Sequence, residues 1–149
     1  MHARDGDCFR GPKLRSSKLI RDVASSNLRL ASSDGDALIL EDNVIIALDA
    51  ESILQELGFA RCHITVSVSE ALNVISEKTI TFALLDICLR EETCVEIATL
   101  LQDRGTPFIF ASGYNDSLTV GPGFDKVPNV SKPYTVWDIS EAIARLGPV

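Results

Sequence analysis

The chain has 149 residues, of which 46% are hydrophobic and 23% charged, and its net charge is −7. This length supports one domain with a full core, and the composition is that of a globular protein. No apolar stretch is as long as a membrane-spanning helix requires, and the N-terminus lacks the apolar centre of a secretory signal. We therefore expect a cytoplasmic protein that does not bind a membrane.

The charge is distributed unevenly along the chain. Residues 1–35 hold seven Lys or Arg against four Asp or Glu, whereas residues 36–149 hold seven against seventeen. The acidic body argues against nucleic-acid binding. The first 35 residues are polar and show no sustained periodicity, so we predict a flexible N-terminal extension. A basic arm is the less favoured alternative, because its basic residues are scattered rather than clustered.

Strand-like and helix-like segments alternate from Asp36 onward. The predicted strands are Ala37–Glu41, Cys62–Val66, Phe82–Asp86, Pro107–Ala111 and Val127–Val130. The predicted helices are Asn43–Leu57, a segment capped by Ser69, a segment from Thr93 to Gly105, and a segment capped by Thr135 with Asp138 completing a capping box. Five such βα units predict a parallel α/β sheet with helices on both faces, a doubly wound fold.

One segment interrupts the alternation. A helix is expected between Gly113 and Asp125, but that stretch contains Gly121-Pro122-Gly123 and few apolar residues at helical spacing. We therefore predict that the fourth helix is short, frayed or mobile.

The four cysteines, Cys8, Cys62, Cys88 and Cys94, form no CxxC pair. Three of them lie in or beside apolar strand runs or on an apolar helix stripe. We expect reduced and mostly buried thiols rather than a disulfide or a zinc site.

Reactive side chains follow four of the predicted strands. Glu41 and Asp42 end the first strand, Asp86 the third, Ser112 the fourth and Lys132 the fifth. The carboxyl ends of strands in an open parallel sheet form the edge where ligands bind. Each residue alone has an ordinary explanation, such as a helix-terminal charge or an N-cap. Their joint occurrence at matching strand ends favours a functional site.

This set of side chains suits a metal ion and a phosphoryl group. Three carboxylates close together repel one another, and a hard divalent ion such as Mg²⁺ relieves that repulsion. We expect Asp42, Asp86 and the backbone carbonyl of Cys88 as ligands, with Glu41 acting mainly through water. Lys132 and Ser112 would hold phosphoryl oxygens, and Asp86 would be the nucleophile that forms an acyl phosphate.

Four segments carry a resemblance to a known family. Leu-Ile-Leu-Glu-Asp, Leu-Leu-Asp, Phe-Ala-Ser-Gly and Ser-Lys-Pro-Tyr, in this order, resemble the receiver domain of bacterial response regulators over residues 36–149. The resemblance implies a flavodoxin-like (βα)5 fold with strand order 2-1-3-4-5. It also implies that Asp86 is the phosphoacceptor and that Ser112 is the switch hydroxyl.

The same resemblance implies roles for the remaining site residues. Glu41 and Asp42 would hold Mg²⁺, and Lys132 would contact the phosphate. The Lys132–Pro133 peptide would be cis, as proline permits. Most receivers have an aromatic switch residue three positions before the lysine, where this chain has Asn129, so Tyr114 is the candidate aromatic switch.

Residues 107–114 carry a more specific resemblance, to one subgroup of receiver domains. They read Pro-Phe-Ile-Phe-Ala-Ser-Gly-Tyr, similar to the Pro-Phe-x-Phe-Ala-Thr-Gly-Tyr signature of the stand-alone alphaproteobacterial "FAT GUY" receivers. Those regulators commonly pair with sensor histidine kinases of the HWE or related class, and their fourth helix is poorly formed.

The resulting hypothesis is a single-domain response regulator of a two-component or phosphorelay pathway. It would accept phosphate from a histidine kinase and signal to a downstream phosphotransfer or target protein, or act as a phosphate sink. It would assist its own phosphorylation and dephosphorylation without being a conventional enzyme. One alternative is a phosphate-independent binding module. Another is a haloacid-dehalogenase-like phosphatase, which would need a second acid where Cys88 stands.

Overall fold

The computed structural model describes residues 35–90, 92–113 and 120–146. Its centre is a five-stranded parallel sheet in the order β2-β1-β3-β4-β5. The strands are β1 (Asp36–Leu40), β2 (Cys62–Thr65), β3 (Ile80–Asp86), β4 (Phe108–Ser112) and β5 (Asn129–Ser131). This order confirms the predicted flavodoxin-like fold. The predicted extension over residues 1–35 lies, except for Gly35, outside the described residues.

Helices cover both faces of the sheet. They are α1 (Val44–Glu56), α2 (Val68–Glu77), α3 (Val95–Asp103) and α4 (Val136–Arg145). The buried side chains of α1 and α4 form one core with one face of the sheet, and those of α2 and α3 form a second core with the other face. β1 and β3 are buried along their whole length except for the partly exposed Ile80, because they lie between these two layers.

Two predicted helix starts are wrong by one or two residues. Ser67, not Ser69, caps α2, and its side chain accepts a hydrogen bond from the Glu70 amide. α3 follows Cys94 rather than beginning at Thr93, because Thr93 forms an isolated antiparallel bridge with Cys88. The capping box of α4 is present as predicted, with the Thr135 hydroxyl and the Asp138 carboxylate each accepting from the other residue's backbone.

The stretch before β5 packs through an aromatic side chain. Phe124 meets Phe108 and Phe110 edge-to-face, with ring centroids 6.3 and 5.9 Å apart. The described part of this stretch, residues 120–128, contains no helix, and its turns use Gly121 and Gly123 at positive φ. Residues 114–119 of the predicted fourth helix, which include Tyr114, lie outside the described residues.

At the opposite, N-terminal edge of the sheet, Asp36 is buried between Arg61 and His63. Its carboxylate lies 2.8 Å from Arg61 Nε and 2.6 Å from His63 Nε2. The hydrogen bond with His63, assisted by Arg61, holds the pKa of Asp36 below its usual value. Beside it Gly35 passes so close to Thr81 that an added Cβ would lie 1.9 Å from Thr81 Cγ2.

The structure also tests the expectations about membrane-spanning helices and about the cysteines. Among the described residues, no helix is both long and apolar enough to cross a membrane. The three described cysteines are free thiols, but Cys88 is exposed and Cys62 only partly covered, so the expectation of mostly buried thiols holds for Cys94 alone. Cys88 is exposed because it alternates with the buried Ile87 and Leu89.

Candidate functional site

The reactive side chains predicted from the sequence converge at the carboxyl ends of β1, β3, β4 and β5. Glu41 follows β1 and is only 3% exposed. Its backbone amide extends the sheet by donating to Thr65, and its Oε1 accepts from the Asn43 amide at 3.0 Å. Asn43 in turn caps α1, so the start of that helix fixes the side chain of Glu41.

Three carboxylates form the centre of the site. Glu41, Asp42 and Asp86 each place one oxygen within 4.8 Å of the others. Asp86 is 1% exposed, and its Oδ1 accepts a hydrogen bond from the Cys88 amide at 3.1 Å. Its other oxygen, Oδ2, is buried as well.

Lys132 joins the strand ends electrostatically. Its Nζ lies 2.8 Å from Glu41 Oε2, where it donates a hydrogen bond, and 3.1 Å from Asp86 Oδ2, with which it forms an ion pair. Burial alone would lower the pKa of Lys132, but the two carboxylates together raise it. The lysine therefore remains an ammonium, and the peptide that follows it, Lys132–Pro133, is cis.

The ammonium does not fully compensate the carboxylates. Burial, the largest contribution, raises the pKa of both Glu41 and Asp86, and Lys132 offsets only part of that rise. Three acids share one closely placed ammonium, so the cluster carries an excess of negative charge. Such a cluster attracts a cation.

Ser112 ends β4 beside this cluster. Asp86 pairs with Ala111, the residue before Ser112, and the Lys132 amide donates to the Ser112 carbonyl at 2.8 Å. The Ser112 hydroxyl donates to Asn129 Oδ1 at 3.2 Å. The sequence did not predict this contact of Asn129.

Known proteins resemble this chain to different degrees. No family model matches the chain. The solution structure of SdrG from Sphingomonas melonis Fr1 is 32% identical with a TM-score of 0.68, over 77% of this chain and 98% of SdrG. A second SdrG structure, in a BeF3-activated conformation, has a TM-score of 0.63. A response regulator receiver protein from Sinorhizobium medicae WSM419, 23% identical with a TM-score of 0.64 over 77% of this chain and 96% of its own, has the same fold.

The sequence comparison agrees with the structural one. The phyllosphere-induced regulator PhyR from Methylorubrum extorquens is 26% identical over 131 residues, which are 85% of this chain and 49% of PhyR. The match thus spans about half the length of that curated relative. This chain belongs to the receiver domains of response regulators.

The loop that follows β3 of this receiver domain is held by hydrogen bonds at two points. Glu92 accepts a hydrogen bond from the Val68 amide at 2.9 Å, which anchors the loop to the start of α2. The Arg90 amide donates to Asp42 Oδ2 at 3.2 Å, and its guanidinium Nε lies 3.7 Å from the same oxygen. Arg90 is 88% exposed, so its charge is largely screened by water.

The donor set of the receiver site fits a hard divalent cation. All three converging side chains offer carboxylate oxygens, the ligands that Mg²⁺ prefers. The described residues place neither thiol nor imidazole groups in this cluster. The charge and chemistry of the site therefore match the predicted cofactor class.

Proposed function

We propose that this receiver domain accepts a phosphoryl group on Asp86 from a phosphohistidine of a sensor histidine kinase, in the cytoplasm. The observation that carries the proposal is the position of Lys132, whose ammonium contacts the buried carboxylates of both Glu41 and Asp86. A cation held against a buried acid in this way can neutralise oxygens of an incoming phosphoryl group.

The transfer is a displacement at phosphorus. A carboxylate oxygen of Asp86 forms the new O–P bond while the P–N bond to the donor imidazole breaks, and the bonding electron pair returns to the imidazole nitrogen. The product is an acyl phosphate on Asp86 and a free histidine. Lys132 holds a phosphoryl oxygen, and the Ser112 hydroxyl supplies a further hydrogen bond.

The proposed Mg²⁺ ligands are Asp42, Asp86 and the backbone carbonyl of Cys88, with Glu41 acting through water. When bound, the ion supplies positive charge that offsets the charge of the phosphoryl oxygens. The BeF3-activated conformation of SdrG, a relative with 32% identity, supports a site that takes a phosphoryl-like group.

A protein donor is supported by the surface next to the site. Val44, Ile45 and Leu48 on the first turns of α1 are 56%, 79% and 53% exposed, directly after the acids of β1. A donor that brings a histidine to Asp86 has to contact this rim. Apolar side chains exposed together on one surface are typical of protein contacts. We propose that a helical phosphotransfer domain of a sensor kinase, such as one of the HWE class that the sequence resemblance implies, packs here.

The test is phosphotransfer with two donors. The chain is incubated with Mg²⁺ and either a phosphorylated kinase domain or acetyl phosphate, and incorporated phosphate is measured. We expect labelling with both donors in the natural chain and with neither donor in Asp86→Asn. Labelling that survives Asp86→Asn refutes the proposed acceptor. Turnover of a phosphomonoester would instead favour the phosphatase alternative.

A second variant separates docking from chemistry. Ile45→Glu should reduce transfer from the kinase at least tenfold, because a charge on an apolar contact surface costs a few kcal/mol. Acetyl phosphate, which needs no protein contact, should label this variant at the natural rate and serves as the matched control. Equal transfer from the kinase to both proteins would exclude this face of α1 as the docking surface.

After phosphorylation, the proposed output is a change in protein contacts or the draining of phosphate from the kinase. A phosphate-independent module would bind its partner equally well with Asp86→Asn, so partner binding by that variant separates the two functions.

A further inference from the structure

Asn129 occupies an unusual position relative to the Ser112 hydroxyl. The two residues lie on neighbouring strands, where Asn129 pairs with Phe110 and reaches Ser112 diagonally. The hydroxyl of Ser112 donates to Asn129 Oδ1 at 3.2 Å. Ser112 is 7% exposed, whereas Asn129 is exposed, so a surface amide holds a buried hydroxyl.

Backbone hydrogen bonds hold the main chain around Ser112, whereas its side chain can rotate. The Lys132 amide donates to the Ser112 carbonyl at 2.8 Å, and the Phe110 amide donates to Pro128 at 2.9 Å. These bonds fix the end of β4 against β5. A change in the direction of the hydroxyl therefore requires only a rotamer change, not movement of the strand.

A hydroxyl has one proton and donates one hydrogen bond at a time. In the structure that proton is given to Asn129. A phosphoryl group on Asp86 brings three strong acceptor oxygens to the same strand edge. The hydroxyl can serve Asn129 or the phosphoryl group, but not both at once.

The Asn129 side chain also has space into which it can turn. Its side chain lines a cavity of about 200 Å³ that is bounded by Ile87 and Phe110 and by the stretch before β5, which includes Phe124. Because Ile87 follows the acceptor Asp86 directly, this space adjoins both the site and the stretch that packs on the aromatic side chains of β4.

We propose that Asn129 is a positioning residue that holds the Ser112 hydroxyl away from the phosphoryl site and so opposes the phosphorylated conformation. The inference rests on the proposed function, in which Ser112 donates to the phosphoryl group. Asn129 acts as a competing acceptor, and phosphorylation breaks its bond to Ser112. The Asn129 side chain then turns toward the adjoining cavity.

The test uses beryllofluoride, a phosphoryl mimic, titrated with saturating Mg²⁺ into the full chain and followed by fluorine NMR. Removing the competing acceptor in Asn129→Ala should tighten beryllofluoride binding about two- to fivefold, the lower part of the range for a neutral hydrogen bond because Asn129 is exposed. Ser131→Ala, a truncation of another exposed residue of β5, is the matched control and should bind as the natural chain does.

Two further variants keep the proposal falsifiable. Asn129→Asp keeps an acceptor for the hydroxyl, so it should not show the tighter beryllofluoride binding expected for Asn129→Ala. In a Ser112→Ala background, Asn129→Ala should have no effect, because the hydroxyl that it releases is missing. A gain that persists in that background overturns the proposal, as does unchanged or weaker binding by Asn129→Ala.

These outcomes distinguish the two levels of inference. If the natural chain binds beryllofluoride but Asn129→Ala gains nothing, the role of Asn129 is wrong and the proposed function stands. If the natural chain binds no beryllofluoride with Mg²⁺ present, both are overturned.

Discussion

Neutralising the proposed phosphoacceptor should stabilise the metal-free protein. Asp86 has carboxylate neighbours in Glu41 and Asp42, within 4.8 Å, and one ammonium neighbour, Lys132 Nζ, at 3.1 Å. At an effective dielectric constant of about 20, each repulsion costs about 3.5 kcal/mol, and the attraction gains about 5 kcal/mol. Asp42 is partly exposed, which weakens its repulsion of Asp86. The net interaction of the Asp86 charge is thus unfavourable by about 1–2 kcal/mol.

Asp86→Asn removes this charge and keeps an oxygen that can accept from the Cys88 amide. We expect the variant to gain about 1–2 kcal/mol in free energy of unfolding in EDTA, or roughly 4–8 °C in Tm for a domain of this size. Addition of Mg²⁺ should stabilise the natural chain, by about 1.4 kcal/mol at ten times its dissociation constant. The same addition should stabilise the variant much less.

The assay is urea and thermal unfolding of both proteins in EDTA and in Mg²⁺. Asp125→Asn, which removes an exposed carboxylate away from the cluster, is the control and should leave the Mg²⁺ response unchanged. An Asn variant that is less stable than the natural chain in EDTA would refute the reasoning, because Lys132 would then outweigh the other carboxylates. Equal Mg²⁺ gains in both proteins would refute the metal site.

Three further predictions concern the scaffold. Gly35→Ala should cost about 1–3 kcal/mol in urea unfolding, because the new Cβ would overlap Thr81. Phe124→Ala should cost about 2 kcal/mol by the same assay, through the loss of two edge-to-face ring contacts. The pKa of Asp36 is lowered, first by its hydrogen bond with His63. The ionised carboxylate therefore stabilises the folded protein fully above pH ~4, and this stabilisation is lost as the pH falls through the lower folded pKa. Unfolding at pH 7 and pH 3 should show Asp36→Asn less stable than the natural chain at pH 7, with the difference shrinking at pH 3.

The spacing of apolar residues and the alternation of strand-like and helix-like segments were sufficient to predict the sheet and the convergence of the reactive residues. Each of Glu41, Asp86 and Ser112 ends or directly follows an apolar run, and a parallel sheet puts all such ends on one edge. The error at the start of α2 was avoidable. Ser67 stands three residues before Glu70, the spacing of a helix N-terminus, whereas Ser69 has no acid at that distance.

Other features depend on contacts that no local pattern contains. Thr93 bridges Cys88 across a short loop, and this bridge delays the start of α3. Arg90 reaches Asp42 across 48 residues of sequence, and Ser112 reaches Asn129 across 17. Such bonds depend on side-chain rotamers after the sheet has formed. The sequence marks Asn129 as unusual, but it does not give the partner of Asn129 or of Arg90.

The charge imbalance at the sheet edge links stability to the proposed function. Among the described residues, Lys132 is the one partly buried cation against the carboxylate cluster, and the exposed Arg90 adds little. The strands that carry the acids are fixed by two packed cores, so the acids cannot separate to relieve their repulsion. The same repulsion that destabilises the metal-free fold is what a bound cation removes. A substitution that stabilises this edge by removing a carboxylate must therefore weaken cation binding, and no single change in the cluster should improve both.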